Sequence, residues 1–220
     1  MMEQKQYELA AQVLREVQKV ILGKREIVEK VLMAVLAQGH VLLDDVPGVG
    51  KTTLAMAFAR ALGLETRRVQ FTPDTMPSDI LGFSVYDKQA GAFSYQPGAV
   101  MTNLLLADEI NRTSTKTQAA LLEAMEGYPD RESQVELMKE RHNADPLAQV
   151  RPVTDAAALC GLMDAAAMTF VADPVYDYTA RLLEATRCHE SLQLGLSPRA
   201  GLALCRAAKA RAFLHARDYV

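Results

Sequence analysis

Asp45-Val46-Pro47-Gly48-Val49-Gly50-Lys51-Thr52-Thr53 is the stretch that decides the fold, because it joins a short apolar run to a helical one. The run before it, His40-Val41-Leu42-Leu43-Asp44, is brief, apolar and bounded by turn residues, which predicts a buried strand. The residues after it, Thr52 to Leu62, carry a helical period. A glycine-bearing turn between a strand and a helix is where a phosphate-binding loop sits. Its glycines let backbone N–H groups turn inward around phosphate oxygens, Lys51 reaches the β- and γ-phosphates, and the Thr52 hydroxyl ligates Mg²⁺. Pro47, Gly48, Val49, Gly50, Lys51, Thr52 and Thr53 are therefore the candidate nucleotide-binding residues. Asp45 stands where the strict pattern G-x-x-x-x-G-K-S/T has its first glycine. The core Gly-x-Gly-Lys-Thr arises by chance in a chain this long on the order of once in a hundred, given average glycine usage. The plainer alternative is a turn before a helix whose lysine is simply solvated.

Strand and helix alternate on both sides of this loop. Two amphipathic stretches precede it, with Leu9, Val13, Leu14, Val17, Val20 and Ile21 on one face and Ile27, Val31, Leu32, Val35 and Leu36 on the next. Gly23 and Gly39 end them. Downstream, Arg68 to Phe71 and Leu104 to Asp108 read as extended, and Ser114 to Glu126 as a helix. The alternation predicts an α/β domain with a parallel sheet and helices on both faces. Between Thr72 and Gly98 prolines and glycines break the pattern, which predicts an irregular insertion in which Phe93 and Tyr95 shape a hairpin. After Gly127 no strand-like run recurs, and helices are expected over Arg131–Glu140, Asp155–Ala166, Pro174–Cys188 and Pro198–His215. The division expected from sequence is thus residues 1–126 as the nucleotide-binding α/β domain and 127–220 as an all-helical domain.

Leu104-Leu105-Leu106-Ala107-Asp108-Glu109 supplies the second half of a nucleotide site, since carboxylates at the carboxyl end of a buried parallel strand lie in the ligand crevice. Asp108 would hold Mg²⁺ through water, and Glu109 would act as the catalytic base that polarises the water attacking the γ-phosphate. Alone, such a pair is a common strand ending. Together with the loop about 50 residues upstream it is specific.

Composition restricts the remaining possibilities. The chain has 220 residues, half of them hydrophobic and 23% charged, which excludes disordered and fibrous classes. The formal net charge of −3 is spread over both halves, 13 basic against 15 acidic residues to Glu126 and 11 against 12 beyond it. That evenness argues against nucleic acid or anionic lipid as a partner. No apolar run approaches the ~18 residues of a membrane span, and the opening residues hold no apolar signal core, so a cytoplasmic setting is expected. Cys160, Cys188 and Cys205 lack metal-ligand spacing and read as buried free thiols, and the four histidines are scattered.

The loop, the run Asp108-Glu109-Ile110-Asn111-Arg112, and Gln70-Phe71-Thr72-Pro73-Asp74 through Pro77-Ser78-Asp79-Ile80-Leu81-Gly82 together resemble the MoxR-type AAA+ ATPases. In that family an Asp or Glu commonly opens the Val-Pro-Gly-Val-Gly-Lys-Thr loop. The resemblance implies Walker A and Walker B motifs that bind and hydrolyse Mg-ATP. It also implies a hexameric ring that remodels client proteins in a chaperone-like way, often beside von Willebrand factor A-domain proteins, during metal-cofactor insertion or complex maturation. It makes the helical domain a lid, and Arg199, in Ser197-Pro198-Arg199, the second sensor reaching the γ-phosphate. It places Ile21, Leu22 and Gly23 beside the adenine.

The family carries several dozen further residues between the equivalents of Glu126 and Gly127, among them a strand with the polar first sensor, the arginine finger and a fifth strand. That missing strand lies between the loop strand and the strand bearing Asp108. Arg112 and Arg131 match no finger position, and the family's lid continues past the equivalent of Val220. The expectation is that residues intervene at the Glu126–Gly127 junction, which a Cα separation well above ~3.8 Å would reveal. Two other functions remain open: a nucleotide-binding scaffold that does not hydrolyse, and a DNA-remodelling AAA+ protein.

Overall fold

The computed structural model describes residues 2–44, 50–88, 92–126, 150–192 and 194–220. By packing, the chain forms two compact units, Met1–Gly63 with Pro146–Val220, and Leu64–Asp145. This division differs from the sequence boundary at Glu126, because the helices before residue 40 pack with those near the C-terminus.

The first unit is helical. Helix α1 (Met2–Gln18) buries Ala10, Val13 and Val17, three and four residues apart, and α2 (Arg25–Leu36) buries Val28, Leu32 and Leu36 on successive turns. On its outer face α2 carries the pairs Arg25–Glu29 at 2.8 Å and Glu26–Lys30 at 2.6 Å. Helix α3 (Lys51–Ala61) turns Leu54, Ala57, Phe58 and Ala61 inward against α1. The later helices are α6 (Ala156–Ala167), α7 (Asp173–Arg187) and α8 (Pro198–Leu214), each within two residues of its sequence-expected ends. Asp155 caps α6 by accepting from the Ala158 N–H at 2.8 Å. Tyr7 of α1 packs on Phe213 of α8 with ring centroids 4.8 Å apart. Gly201 lets α8 approach α7, since a Cβ there would stand 2.7 Å from Leu183 Cδ1.

The second unit holds the sheet. Strand β1 (Thr66–Gln70) pairs in parallel with β4 (Leu104–Asp108), in the register Thr66 opposite Leu104 through Gln70 opposite Asp108. One face of this ladder, with Val69, Leu105 and Ala107, packs on a core of Phe71, Ile80 and Leu121. Helix α5 (Thr115–Glu126) lies on α4 (Pro77–Leu81), and the buried Thr117 hydroxyl donates to the Thr75 carbonyl at 2.8 Å. The segment between β1 and β4 is more ordered than its composition predicts. Asp79 accepts from the Met76 N–H at 2.8 Å to start α4, and an antiparallel hairpin follows, β2 (Gly82–Asp87) with β3 (Ala92–Pro97). Phe93 and Tyr95 lie in it as anticipated, with Phe93 edge-on to Tyr86 at 5.2 Å.

Four expectations require correction or fall elsewhere. Residues 40–44 are not a strand: they join no ladder among the described residues, and Val41 and Leu42 are 41% and 85% exposed. An apolar segment becomes a strand only by hydrogen bonding to a neighbour, which its own residues cannot supply. The cysteines are free but not buried, Cys160 and Cys188 being exposed and Cys205 half-buried. The helix expected over Arg131–Glu140 and the junction at Glu126–Gly127 lie outside the described residues.

Candidate functional site

Pro47, Gly48 and Val49 fall outside the described residues, and the site is built from Gly50 onward. Gly50 has φ +86° and ψ 25°, a left-handed conformation that turns the chain into α3. The first helical bond runs from the Leu54 N–H to the Gly50 carbonyl at 2.9 Å. The N–H groups of Lys51, Thr52 and Thr53 therefore have no acceptor within the helix, and the positive end of its dipole lies among them. Lys51 and Thr52 occupy the first turn, so an ammonium, a hydroxyl and three amide donors share one helix end. That combination suits the oxygens of a polyphosphate.

Asp108 closes β4, and Glu109 follows in the left-handed region at φ +58° and ψ +41°. A non-glycine residue there is uncommon and strained by about 1–3 kcal/mol, a feature that collects at functional positions. Both carboxylates are engaged. Arg68 of β1 grips Asp108, with Nε and one terminal nitrogen each 2.7 Å from Oδ2. Gln70 donates to Glu109 at 3.4 Å, and Arg112 pairs with Glu109 at 3.2 Å. The sequence alone gives neither Arg68 nor Gln70 a role at the carboxylates. Thr66, Arg68 and Gln70 stand at alternate positions of β1, which gains meaning only once the register with β4 is known.

Arg199 is the second residue of α8, exposed, behind a Ser197 cap whose hydroxyl accepts from the Ala200 N–H at 3.4 Å. Ile21, Leu22 and Gly23 form the turn between α1 and α2, with Gly23 at φ +73° and Leu22 79% exposed. These residues and Gly50–Thr53 belong to the same compact unit, and α1 touches both α3 and α8. Asp108 and Glu109 belong to the other unit.

Residues 40–160 match the model of the ATPase family associated with various cellular activities (AAA), and residues 184–220 match the AAA lid domain. The chaperone MoxR1 of Mycobacterium tuberculosis is 33% identical over 262 residues, spanning 93% of this chain and 69% of that one. The chain belongs to the MoxR-type AAA+ ATPases. The YeaC protein of Bacillus subtilis, itself uncharacterised, is 36% identical over 260 residues, spanning 96% of this chain and 81% of YeaC. A candidate ATPase from Cytophaga hutchinsonii, solved by crystallography, superposes with a TM-score of 0.81 at 28% identity, over 99% of this chain and 83% of that one. The AAA+ fold, with a parallel sheet, flanking helices and a C-terminal helical lid, follows from these matches together with the β1–β4 ladder and α6–α8.

A MoxR-type ATPase binds nucleotide, typically with Mg²⁺. Thr52 in one unit and Asp108 in the other each carry a hard oxygen of the kind Mg²⁺ takes. Among the described residues no three His, Cys, Asp or Glu side chains gather into a metal cluster. Mg²⁺ bound with a nucleotide usually takes only a few protein oxygens beside those of the phosphates, so no such cluster is required. No helix of the described residues is long and apolar enough to cross a membrane.

Proposed function

We propose that this MoxR-type ATPase binds Mg-ATP and hydrolyses it to remodel client proteins. The observation that carries the reading is the pairing, in one chain matched to AAA+ relatives, of the Gly50–Lys51–Thr52 helix entry with the Asp108–Glu109 strand end. Lys51 neutralises the β- and γ-phosphates, and the amides of residues 51–53 orient them. Thr52 and Asp108 hold Mg²⁺, which when bound offsets charge on the phosphate oxygens. Glu109 takes the proton of the attacking water. Arg199 senses the γ-phosphate from the lid, and Ile21, Leu22 and Gly23 cover the adenine. Pro47, Gly48, Val49 and Thr53 complete the phosphate cradle. The functional division is an ATPase domain to about Glu126 and a lid after it. A hexameric ring, von Willebrand factor A-domain partners, service in metal-cofactor insertion or complex maturation, and a cytoplasmic setting complete the proposal.

One observation favours a second reading, a scaffold gated by nucleotide binding without hydrolysis. The alignment with YeaC runs over 260 residues, 40 more than the whole of this chain, so at least that many residues of the relative have no counterpart here. By the resemblance, such residues would include the first sensor and the arginine finger. Calorimetry and phosphate release on the parent chain and Lys51→Ala separate the readings. Binding with turnover, both lost in Lys51→Ala, supports the ATPase; binding without turnover supports the scaffold. ATP affinity retained within about threefold in Lys51→Ala, roughly 0.6 kcal/mol, removes both.

A further inference from the structure

The face of the β1–β4 ladder opposite the core presents Arg68, Gln70 and Asp108 together, because residues two apart on a strand share a face and the register sets Gln70 beside Asp108. Arg68 reaches diagonally along this face to Asp108. Both of its contacting nitrogens lie 2.7 Å from the same oxygen, Oδ2. Oδ1 stands outside these two contacts. The arginine side chain is 53% exposed and the aspartate 25%. A half-solvated pair of this kind contributes little to stability, about 0–1 kcal/mol, so its chief consequence is where it puts a permanent positive charge.

We propose that Arg68 is a positioning residue that competes with the divalent cation for Asp108 and so sets the metal concentration at which nucleotide and metal are held together. The inference rests on the reading of Asp108 as the metal-holding carboxylate. Its sign follows from two geometries for a cation held through water. If a metal-bound water donates to Oδ2, it competes with the guanidinium for that oxygen. If it donates to Oδ1, the guanidinium stays a few ångströms from the cation and repels it. Arginine cannot relieve either conflict by losing its proton. Metal binding therefore always works against Arg68, and the exposure of its side chain gives the released guanidinium somewhere to go. Gln70 and Arg112 do not share this role, since both contact Glu109.

The test is the ratio of ADP affinity with Mn²⁺ to ADP affinity in EDTA, measured by calorimetry on the whole chain. By linkage this ratio reports the cation's affinity without any need for turnover. Arg68→Gln is expected to raise the ratio about threefold or more, with the affinity in EDTA unchanged, on the scale of losing one partly screened charge. Arg68→Lys, which keeps the charge and loses the two-nitrogen grip, should fall between parent and Arg68→Gln. A ratio unchanged or lowered in both variants overturns the inference, the lowered value meaning that Arg68 orients Asp108 for the metal. If Arg68→Gln does not fold, the direction of change in Arg68→Lys decides alone. Asp108→Asn provides the separate check: loss of most of the Mn²⁺ effect upholds the underlying reading, and no loss sinks that reading and the inference with it.

Discussion

Substituting alanine at Gly50 separates what the loop exit contributes to folding from what it contributes to binding. At φ +86° an L-residue is strained, yet among the described residues a Cβ there would meet nothing nearer than Thr53 Cβ at 4.0 Å. The cost is therefore conformational, about 1–2 kcal/mol for the left-handed region. Against it stands the ~0.4–1 kcal/mol by which alanine restricts the unfolded chain, leaving about 1 kcal/mol net. Gly63, just past the other end of α3, is the matched control. Its φ is +61°, but a Cβ would stand 2.5 Å from the Thr154 carbonyl oxygen and 3.5 Å from Asp155 Cα. Backbone cannot yield as a side chain can, so Gly63→Ala adds a steric cost of about 1–3 kcal/mol to the same strain. Urea unfolding of parent and both variants reads the difference, since both glycines lie in one compact unit. ATP affinity should show the opposite order. Relaxation at Gly50 tilts the amides of residues 51–53 and weakens binding at least tenfold, whereas folded Gly63→Ala keeps it. Equal destabilisation by the two variants, or unchanged ATP affinity in Gly50→Ala, would refute the assignment of α3's entry as the phosphate-holding element.

Further outcomes are expected from the carboxylates. Glu109→Gln should keep Mg-ATP bound while lowering turnover about 100-fold or more, the scale of losing a general base, as read by phosphate release; loss of binding instead would make Glu109 a structural or metal residue. The Glu16 carboxyl sits below its ordinary pKa of 4.5, first because Lys19 hydrogen-bonds it at 2.6 Å and then because it accepts the Arg151 N–H at 2.8 Å. A depressed carboxyl stabilises the fold fully above the unfolded value, and that contribution disappears as pH falls from about 4.5 through the lowered pKa. Glu16→Gln should therefore cost about 1.5–3 kcal/mol at pH 7 and flatten the acid limb of stability against pH. A variant whose melting temperature tracks the parent's at every pH would show that the α1–Arg151 link carries no stability.

The helices of the lid were legible in the sequence because a helix closes its hydrogen bonds within itself, so apolar period and caps suffice. Asp155, Ser197 and the stripes of α6 to α8 specify those elements with little help from the rest of the chain. The places of the motifs were legible for a related reason, since Gly50-Lys51-Thr52 and Asp108-Glu109 are local patterns, and they stand at a helix entry and a strand end.

Strands differ, because every backbone bond of a strand is made to another segment. His40–Asp44 has the composition of a strand and is none, while Leu104–Asp108 of similar character becomes one through its partner β1. The register of that partnership, invisible in either segment alone, brings Arg68 to Asp108 and Gln70 to Glu109. The sequence by itself thus determined the family and the helices, and proposed the residues for a polyphosphate. Only tertiary structure decided which apolar run enters the sheet and that Arg68 grips Asp108, because both depend on backbone pairing between segments about forty residues apart.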